Sequence, residues 1–494
     1  MKGSSPIAGA CCLALSSLLG NKTSFPTNPS YISSLDSYFS LQESTILPKC
    51  VVSPETAYDV SVAVKTLTAI YNDLEGDATK ECKFAIRSGG HTTWAGAANI
   101  ECGVTLDLRK LNLVQINSAK GTVSVGAGNS WDRVYSRLDP MNLSVNGGRT
   151  AGVGVGGLST GGGISYFGTR YGWTADTIVN YEVVLADGAI TNANANENPD
   201  LLWALRGGGN NFGIVTRVDM QTFEQEPFFG GYAYHLPDFW ADEVEEFVRI
   251  NNPATYDEFA HLTLTWGFSG TLGLAVANQL EYTKPIEDPP IFAKLRSLPV
   301  LFGKYGISNV SQLSRDLRDQ AATGKRQFWN TLTFVSTEAA MSATFFRFNE
   351  SILAISRVPD IVSSITLEPL PPALYARQQA SNALGFDHRG NLNQSLVIAL
   401  LSVSYTSADN DQLVDTYGRS LMEAINQDLK KLNASDPYLY LNYAASYQDP
   451  ISSYTEANVR RLREIAAKWD PRGTFQHQVP GGFKLFAHWN LDLE

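Results

Sequence analysis

Gly147-Gly-Arg-Thr-Ala-Gly-Val-Gly-Val-Gly-Gly-Leu-Ser-Thr-Gly-Gly-Gly-Ile-Ser-Tyr-Phe-Gly168 packs ten glycines into 22 residues, where the 41 glycines of this 494-residue chain would place about two. No three-residue period runs through the stretch, which excludes a collagen-like repeat. So many glycines also exclude a long helix. Without a Cβ the backbone can approach a ligand closely and take positive φ. Successive N–H groups then form concave nests for anions. The string Gly152-x-Gly154-x-x-Gly157, with Asp176 about twenty residues on, matches a dinucleotide fingerprint. That fingerprint needs a strand running directly into it and a helix opening at its third glycine. Here Asn146-Gly147-Gly148 precedes it and Gly161-Gly162-Gly163 follows, so a Rossmann fold is rejected. No P-loop lysine is present. A second glycine turn, Arg87-Ser88-Gly89-Gly90-His91, follows the apolar run Phe84-Ala85-Ile86 and carries one histidine at its tip. Tight turns in a β-rich domain would account for either cluster alone. Together they read as two walls of a phosphate cradle.

Outward from this stretch, residues of about 45–225 read as short strands and turns. Apolar residues alternate in Gly103–Leu108 and Gly121–Gly126, as in half-buried strands. Tyr181–Leu185 is another strand, and Asp187-Gly188 is a hairpin turn signal. Asn198-Pro199 opens a short helix through Leu205. Beyond about 226 glycine thins out. Phe239–Val248 has a helical apolar face, His261–Trp266 and Leu272–Ala277 alternate as strands, and Val397–Val403 reads as a buried strand. A last helix covers about Thr455–Trp469 and stops at Asp470-Pro471.

Charged residues make up 18% and hydrophobic ones 44%, and the net charge is −11. An acidic chain argues against nucleic acid or an anionic membrane as partner. No apolar run is long enough to span a bilayer. Pro6–Leu19, with Lys2 before it, forms a weak secretory-signal pattern. Cys11, Cys12, Cys50, Cys82 and Cys102 include no CxxC pair and stand at no metal spacing to a histidine, so no metal site is expected. Buried thiols and one or two disulfides tying down the N-terminus are both open. Asn21, Asn142, Asn309, Asn349, Asn393 and Asn433 head glycosylation sequons.

Arg87-Ser-Gly-Gly-His91-Thr-Thr-Trp-Ala-Gly-Ala-Ala-Asn99 resembles the flavin-attachment loop of FAD-linked oxidases of the vanillyl-alcohol-oxidase, PCMH-type FAD-binding family. The likeness is to its fungal berberine-bridge-enzyme-like branch. It continues through Gly103–Leu108, the glycine cluster, Arg170–Asp176, Trp203–Val215, Tyr440-Leu-Asn-Tyr443, Asp470-Pro471, Phe475 and Pro480–Lys484, in the family's order. The resemblance implies an α+β fold. It implies an N-terminal segment 1–44, a two-part FAD domain over 45–225, and a substrate domain with an antiparallel sheet over 226–438. The segment 439–494 then returns to the FAD domain. It also places the Cys-rich start within the mature protein, so that Pro6–Leu19 need not be a signal.

By the same resemblance FAD is the cofactor and His91 its covalent anchor. Arg87, Ser88, Gly89, Gly90, Thr150, Val153, Gly154, Gly156, Gly157, Thr160, Gly161, Gly162, Val215 and Asn442 make up the rest of the FAD site. Relatives with a second, cysteinyl link carry it where Thr150 stands here, so a single link is expected. Val153 falls at the family's oxygen gate, where a small residue goes with oxidases. Tyr443, then Tyr440, are the candidate bases. Ile164 replaces a family tyrosine and Val397–Tyr405 is aliphatic, which together suggest an apolar pocket. The expected protein is a secreted, monomeric oxidase passing electrons from a small secondary metabolite to O2. An oligosaccharide oxidase, a non-redox isomerase or cyclase on the same fold, and a flavin-binding protein without turnover are the alternatives. His388 and Arg389, in a polar loop, are given no role, and His477 is read as structural.

Overall fold

The computed structural model describes residues 9–73, 80–117, 121–320, 323–387 and 393–486. His388 and Arg389 lie outside them. Three sheets organise the chain. The first joins β1 (Thr23–Ser24), β2 (Cys50–Val52), β3 (Phe84–Arg87) and β4 (Val104–Asp107) in the order β1-β2-β4-β3. β2 and β3 both run parallel to β4, and all four residues of β4 are buried. The second holds β5 (Val114–Asn117), β6 (Thr122–Gly126), β7 (Leu143–Val145), β8 (Ile178–Val184), β9 (Ile190–Asn194) and β10 (Ile214–Glu224). Its order is β5-β6-β10-β8-β9, with β7 also against β10.

The third sheet has eight antiparallel strands. They are β11 (Phe228–His235), β12 (Ala260–Ser269), β13 (Gly273–Tyr282), β14 (Phe302–Ser308), β15 (Arg326–Val335), β16 (Val362–Leu370), β17 (Leu396–Tyr405) and β18 (Ser435–Asp436). Their order is β14-β11-β13-β12-β16-β17-β15-β18. Helices Trp240–Ile250, Glu338–Ile355 and Asp411–Lys431 pack on one face of this sheet and share its core. The other face is left for a ligand. Pro369 is tolerated near the end of β16 because pairing with β12 stops at Leu367, leaving only β17 alongside.

The glycine stretch contains one helix of six residues, Val155–Thr160. β7, which precedes it, pairs antiparallel with β10, so no parallel βαβ unit forms. The helix over Pro199–Leu205 is present, but Asn198 does not cap it. Its residue is left-handed, and its amide bonds Thr191 Oγ1 and Asn192 O instead.

Ala10–Leu19 is a helix that buries Cys11, Cys12, Leu15 and Leu19 along one face. Disulfides Cys11–Cys82 and Cys12–Cys50 staple it to the first sheet, and Cys102 is free and exposed. Of the two readings open for the cysteines, the structure holds the disulfides. No helix among the described residues is long and apolar enough to cross a membrane.

Candidate active site

A cavity of about 1010 Å³ lies between the two glycine turns and the open face of the eight-stranded sheet. The turns interlock at their glycines. A Cβ on Gly89 would stand 2.5 Å from Gly154 N, and one on Gly154 would stand 2.3 Å from Gly89 N. Ser88 Oγ donates to Ala127 O (2.6 Å) and accepts from Gly156 N (3.1 Å), which fixes the helix start against the first turn. Gly157 borders the cavity, with nothing within 4 Å of where its Cβ would stand. His91 also borders the cavity, stacked on Phe39 at 4.0 Å between centroids. Burial lowers its pKa to about 4, so the imidazole is neutral at physiological pH.

Fourteen of the seventeen residues picked out from the sequence border this cavity. Three do not. The Arg87 side chain is fully buried and turned toward the N-terminal segment, where it donates to Ser34 O and to Ser37 Oγ (2.9 Å) and stacks over Tyr38. It braces that segment rather than a ligand. Gly161 backs onto Asn442, whose Oδ1 is 2.1 Å from the ideal Cβ position, and Gly162 backs onto Leu384 and Trp173. Both serve close packing behind the wall.

The pocket is also less apolar than expected. Alternation divides β17: Val397, Ala399, Leu401 and Val403 join the core under the helices, whereas Leu400, Ser402 and Ser404 face the cavity. The cavity wall also carries a polar cluster. Arg149 Nη2 donates to Glu368 Oε1 (2.7 Å) and to Tyr443 OH (3.0 Å), and Tyr443 OH donates to the same carboxylate oxygen (2.6 Å). Arg149 is 9% exposed and Glu368 3%. Among the described residues Glu368 Oε2 has no partner, and its residue borders the cavity. Behind Arg149, His261 Nε2 lies 3.4 Å from Nη1, and His261 Nδ1 is 3.0 Å from Glu281 Oε2, its cross-strand neighbour.

Electrostatics follow from this packing. Burial works against the charge of Arg149, but Glu368 and Tyr443 outweigh it and hold the proton firmly. Burial, then the Glu368 charge, pushes the Tyr443 phenol well above its ordinary value. Burial, then Arg149, pushes His261 well below its own. Burial raises Glu281 to about 8. Tyr440 is buried, stacks on Trp173 and accepts from Asn442 Nδ2 (3.0 Å), so it supports the wall. One signal in the sequence pointed to the cluster: Arg149 is the only charged residue in the 22-residue glycine stretch.

Paired glycine turns whose backbone borders a deep cavity suit a flavin nucleotide, and comparison with known proteins agrees. Residues 48–194 match the family model for the FAD binding domain. The chain is 36% identical to the FAD-dependent monooxygenase CTB5 of Cercospora beticola, over 96% of this chain and 92% of that protein. It is 37% identical to the oligopeptidase PhomG' of Diaporthe leptostromiformis over 94% of this chain, which spans only 36% of that protein's length. The fold matches 6-hydroxy-D-nicotine oxidase of Arthrobacter nicotinovorans (TM-score 0.76, 19% identity, 92% of this chain and 96% of that one). It also matches a xylooligosaccharide oxidase of Myceliophthora thermophila C1 (0.74, 19%, 95% and 99%). A third match is berberine bridge enzyme (0.74, 17%, 95% and 98%). The fold is thus that of the PCMH-type, berberine-bridge-enzyme-like oxidases. The chain belongs to the family that includes the fungal FAD-dependent monooxygenases, and it is an FAD-dependent oxidoreductase.

Proposed function

We propose that this protein is an FAD oxidase with a single histidyl link at His91, acting on a small molecule with an apolar body and at least one hydroxyl. The observation that carries the reading is one cavity bordered both by His91 and by the Arg149–Glu368–Tyr443 cluster. FAD, held in this cavity by His91 and the two glycine turns, would supply the two-electron acceptor that couples substrate oxidation to reduction of O2 to H2O2. The chain's own residues do the rest. His91, neutral through burial, has an unprotonated ring nitrogen available for a bond. The four disulfide-bonded cysteines and Cys102 all lie outside the cavity, which supports a single link.

Tyr443 and Glu368 act as one proton-accepting pair. The phenol holds its own proton too tightly to act as a lone anion. Glu368 borders the cavity as an acceptor for a substrate O–H, and Arg149 ion-pairs with it. Arg149 is already engaged, so a neutral hydroxyl suits the site better than an anionic substrate. Ile164, Leu400 and Trp329 offer an apolar bed for a secondary-metabolite scaffold. Val153 borders the cavity at the family's oxygen gate and supports O2 as acceptor.

The division at 45–225, 226–438 and 439–494 and a monomeric state are part of the same proposal. Two disulfides and six exposed sequon asparagines support a secretory route.

The test begins with acid precipitation of wild type and His91→Ala. Colour in the wild-type pellet alone is expected, and retained colour in the variant overturns the link. Anaerobic reduction followed by air should give fast reoxidation with H2O2. The relatives' names favour monooxygenation as the second reading. Turnover under ¹⁸O2 separates the two, because label in the organic product refutes a simple oxidase and a product of unchanged mass refutes any oxidation.

A further inference from the structure

Residues 39–43 tie the His91 loop to the substrate-facing sheet. Phe39 N donates to Gly90 O (3.1 Å), and the Phe39 ring stacks on His91. Toward the sheet, Leu41 N donates to Lys325 O (3.0 Å). Gln42 is clamped to Gln327 in both directions, Nε2 to Gln327 O (2.7 Å) and Gln327 N to Oε1 (3.0 Å). Gln327 lies two residues before Trp329, whose ring stands 5.8 Å from Phe39 and 6.0 Å from His91. At the end of this strap Glu43 is fully buried. Its carboxyl accepts from Gly96 N (3.1 Å) and Ala98 N (2.6 Å), and its carbonyl accepts from Asn99 Nδ2 (2.9 Å). Residues 91–99 contain no helix or strand, so side-chain bonds such as these must hold their backbone.

We propose that Glu43 is a positioning residue: it locks the 91–99 loop onto the strap and so fixes His91 against the wall that carries Trp329. The consequence for flavin attachment rests on the His91 reading above; the positioning does not. The site is unusual in that no salt bridge reaches Glu43 among the described residues. Arg87, whose charge reaches Glu43, is spent on Ser34, Ser37 and Asp107. Tyr38, just before the strap, interacts with the charges of Glu43, Arg87, Asp107 and Arg109, and its hydroxyl donates to Ala98 O (2.8 Å).

Burial raises the Glu43 carboxyl to about 7. In an opened loop it would be solvated and ordinary. A raised value in the closed state means that closure binds a proton. Loop protection is therefore greatest at low pH, falls by up to about tenfold per pH unit as pH rises from the ordinary carboxyl range to about 7, and levels off above it.

Native-state hydrogen exchange of the holoprotein, corrected for intrinsic rates from about pH 4 to 9, tests the proposal. Wild type should lose protection at 91–99 as pH rises from about 5 to 7 and level off above that. Glu43→Gln, uncharged and keeping one of the two acceptors, should hold it in part and without pH dependence. Glu43→Ala should exchange this loop about tenfold faster or more at every pH, with β12 and β17 unchanged, and should carry a smaller covalent flavin fraction that Glu43→Gln restores. Full protection in Glu43→Ala, or a flat wild-type profile, overturns the positioning role. If Glu43→Ala does not accumulate, the wild-type and Glu43→Gln pH series decide alone. If the exchange results hold but wild type has no covalent flavin, the His91 link fails and the positioning role stands.

Discussion

Replacing Arg149 by methionine isolates the buried cluster. Arg149 and Glu368 are 9% and 3% exposed and 2.7 Å apart. Methionine keeps much of the volume and removes the charge. Glu368 then retains a single donor, Tyr443, with Oε2 already unpartnered. Removing one partner of a buried ion pair costs about 3–5 kcal/mol, because the other charge stays buried and uncompensated. Arg149→Met should lose that much in urea unfolding of the holoprotein. The double variant Arg149→Met/Glu368→Gln, with neither charge, should recover most of it, to within about 1–2 kcal/mol of wild type. A single-variant cost below about 1 kcal/mol, or a double variant no better than the single, would refute the account of the cluster.

Other outcomes follow from the same geometry. Tyr443→Phe and Glu368→Gln should each lower kcat by about 10²–10⁴-fold with little change in substrate Kd. The phenol is pushed far above its ordinary range, so Tyr443→Phe should remove no ionisation from the rate profile between pH 6 and 9. Val153→Leu should slow reoxidation of the reduced enzyme by O2 about tenfold, roughly 1.4 kcal/mol, measured by stopped flow. Gly154→Ala would set a Cβ 2.3 Å from Gly89 N; we expect about 1–3 kcal/mol of destabilisation and reduced flavin content on purification. Cys82→Ser opens a loop of 71 residues and should cost about 4 kcal/mol, read as a lower urea midpoint with the flavin spectrum kept.

Much of this molecule is legible in the chain because its signals are local. Glycine turns after short strands, the alternation of β4, β6, β12 and β13, and the capped helix at Thr455 are all set by near neighbours. What escaped reading depends on which way a side chain points. Arg87 sits in a motif beside His91, yet on its strand it faces the N-terminal segment and packs against Tyr38. β17 is aliphatic in composition, but its period of two sends the serines to the cavity and the valines to the core. Glu368 and His261 carry no local pattern. Their meaning comes from Arg149, which crosses from the glycine stretch to two separate strands. Glu43 was equally silent, since its partners are backbone N–H groups more than fifty residues away.

The bond between Arg149 and Tyr443 spans 294 residues, and Asn442 fills the space beside Gly161 that any side chain there would need. This fixes an order of events in time. The glycine turns are synthesised early, but one side of their cavity stays open until the polypeptide past residue 440 has arrived. No N-terminal fragment holds a complete chamber, however well its first sheet folds. Closure of so distant a contact is slow by its nature. A flavin that enters early would face an unfinished wall.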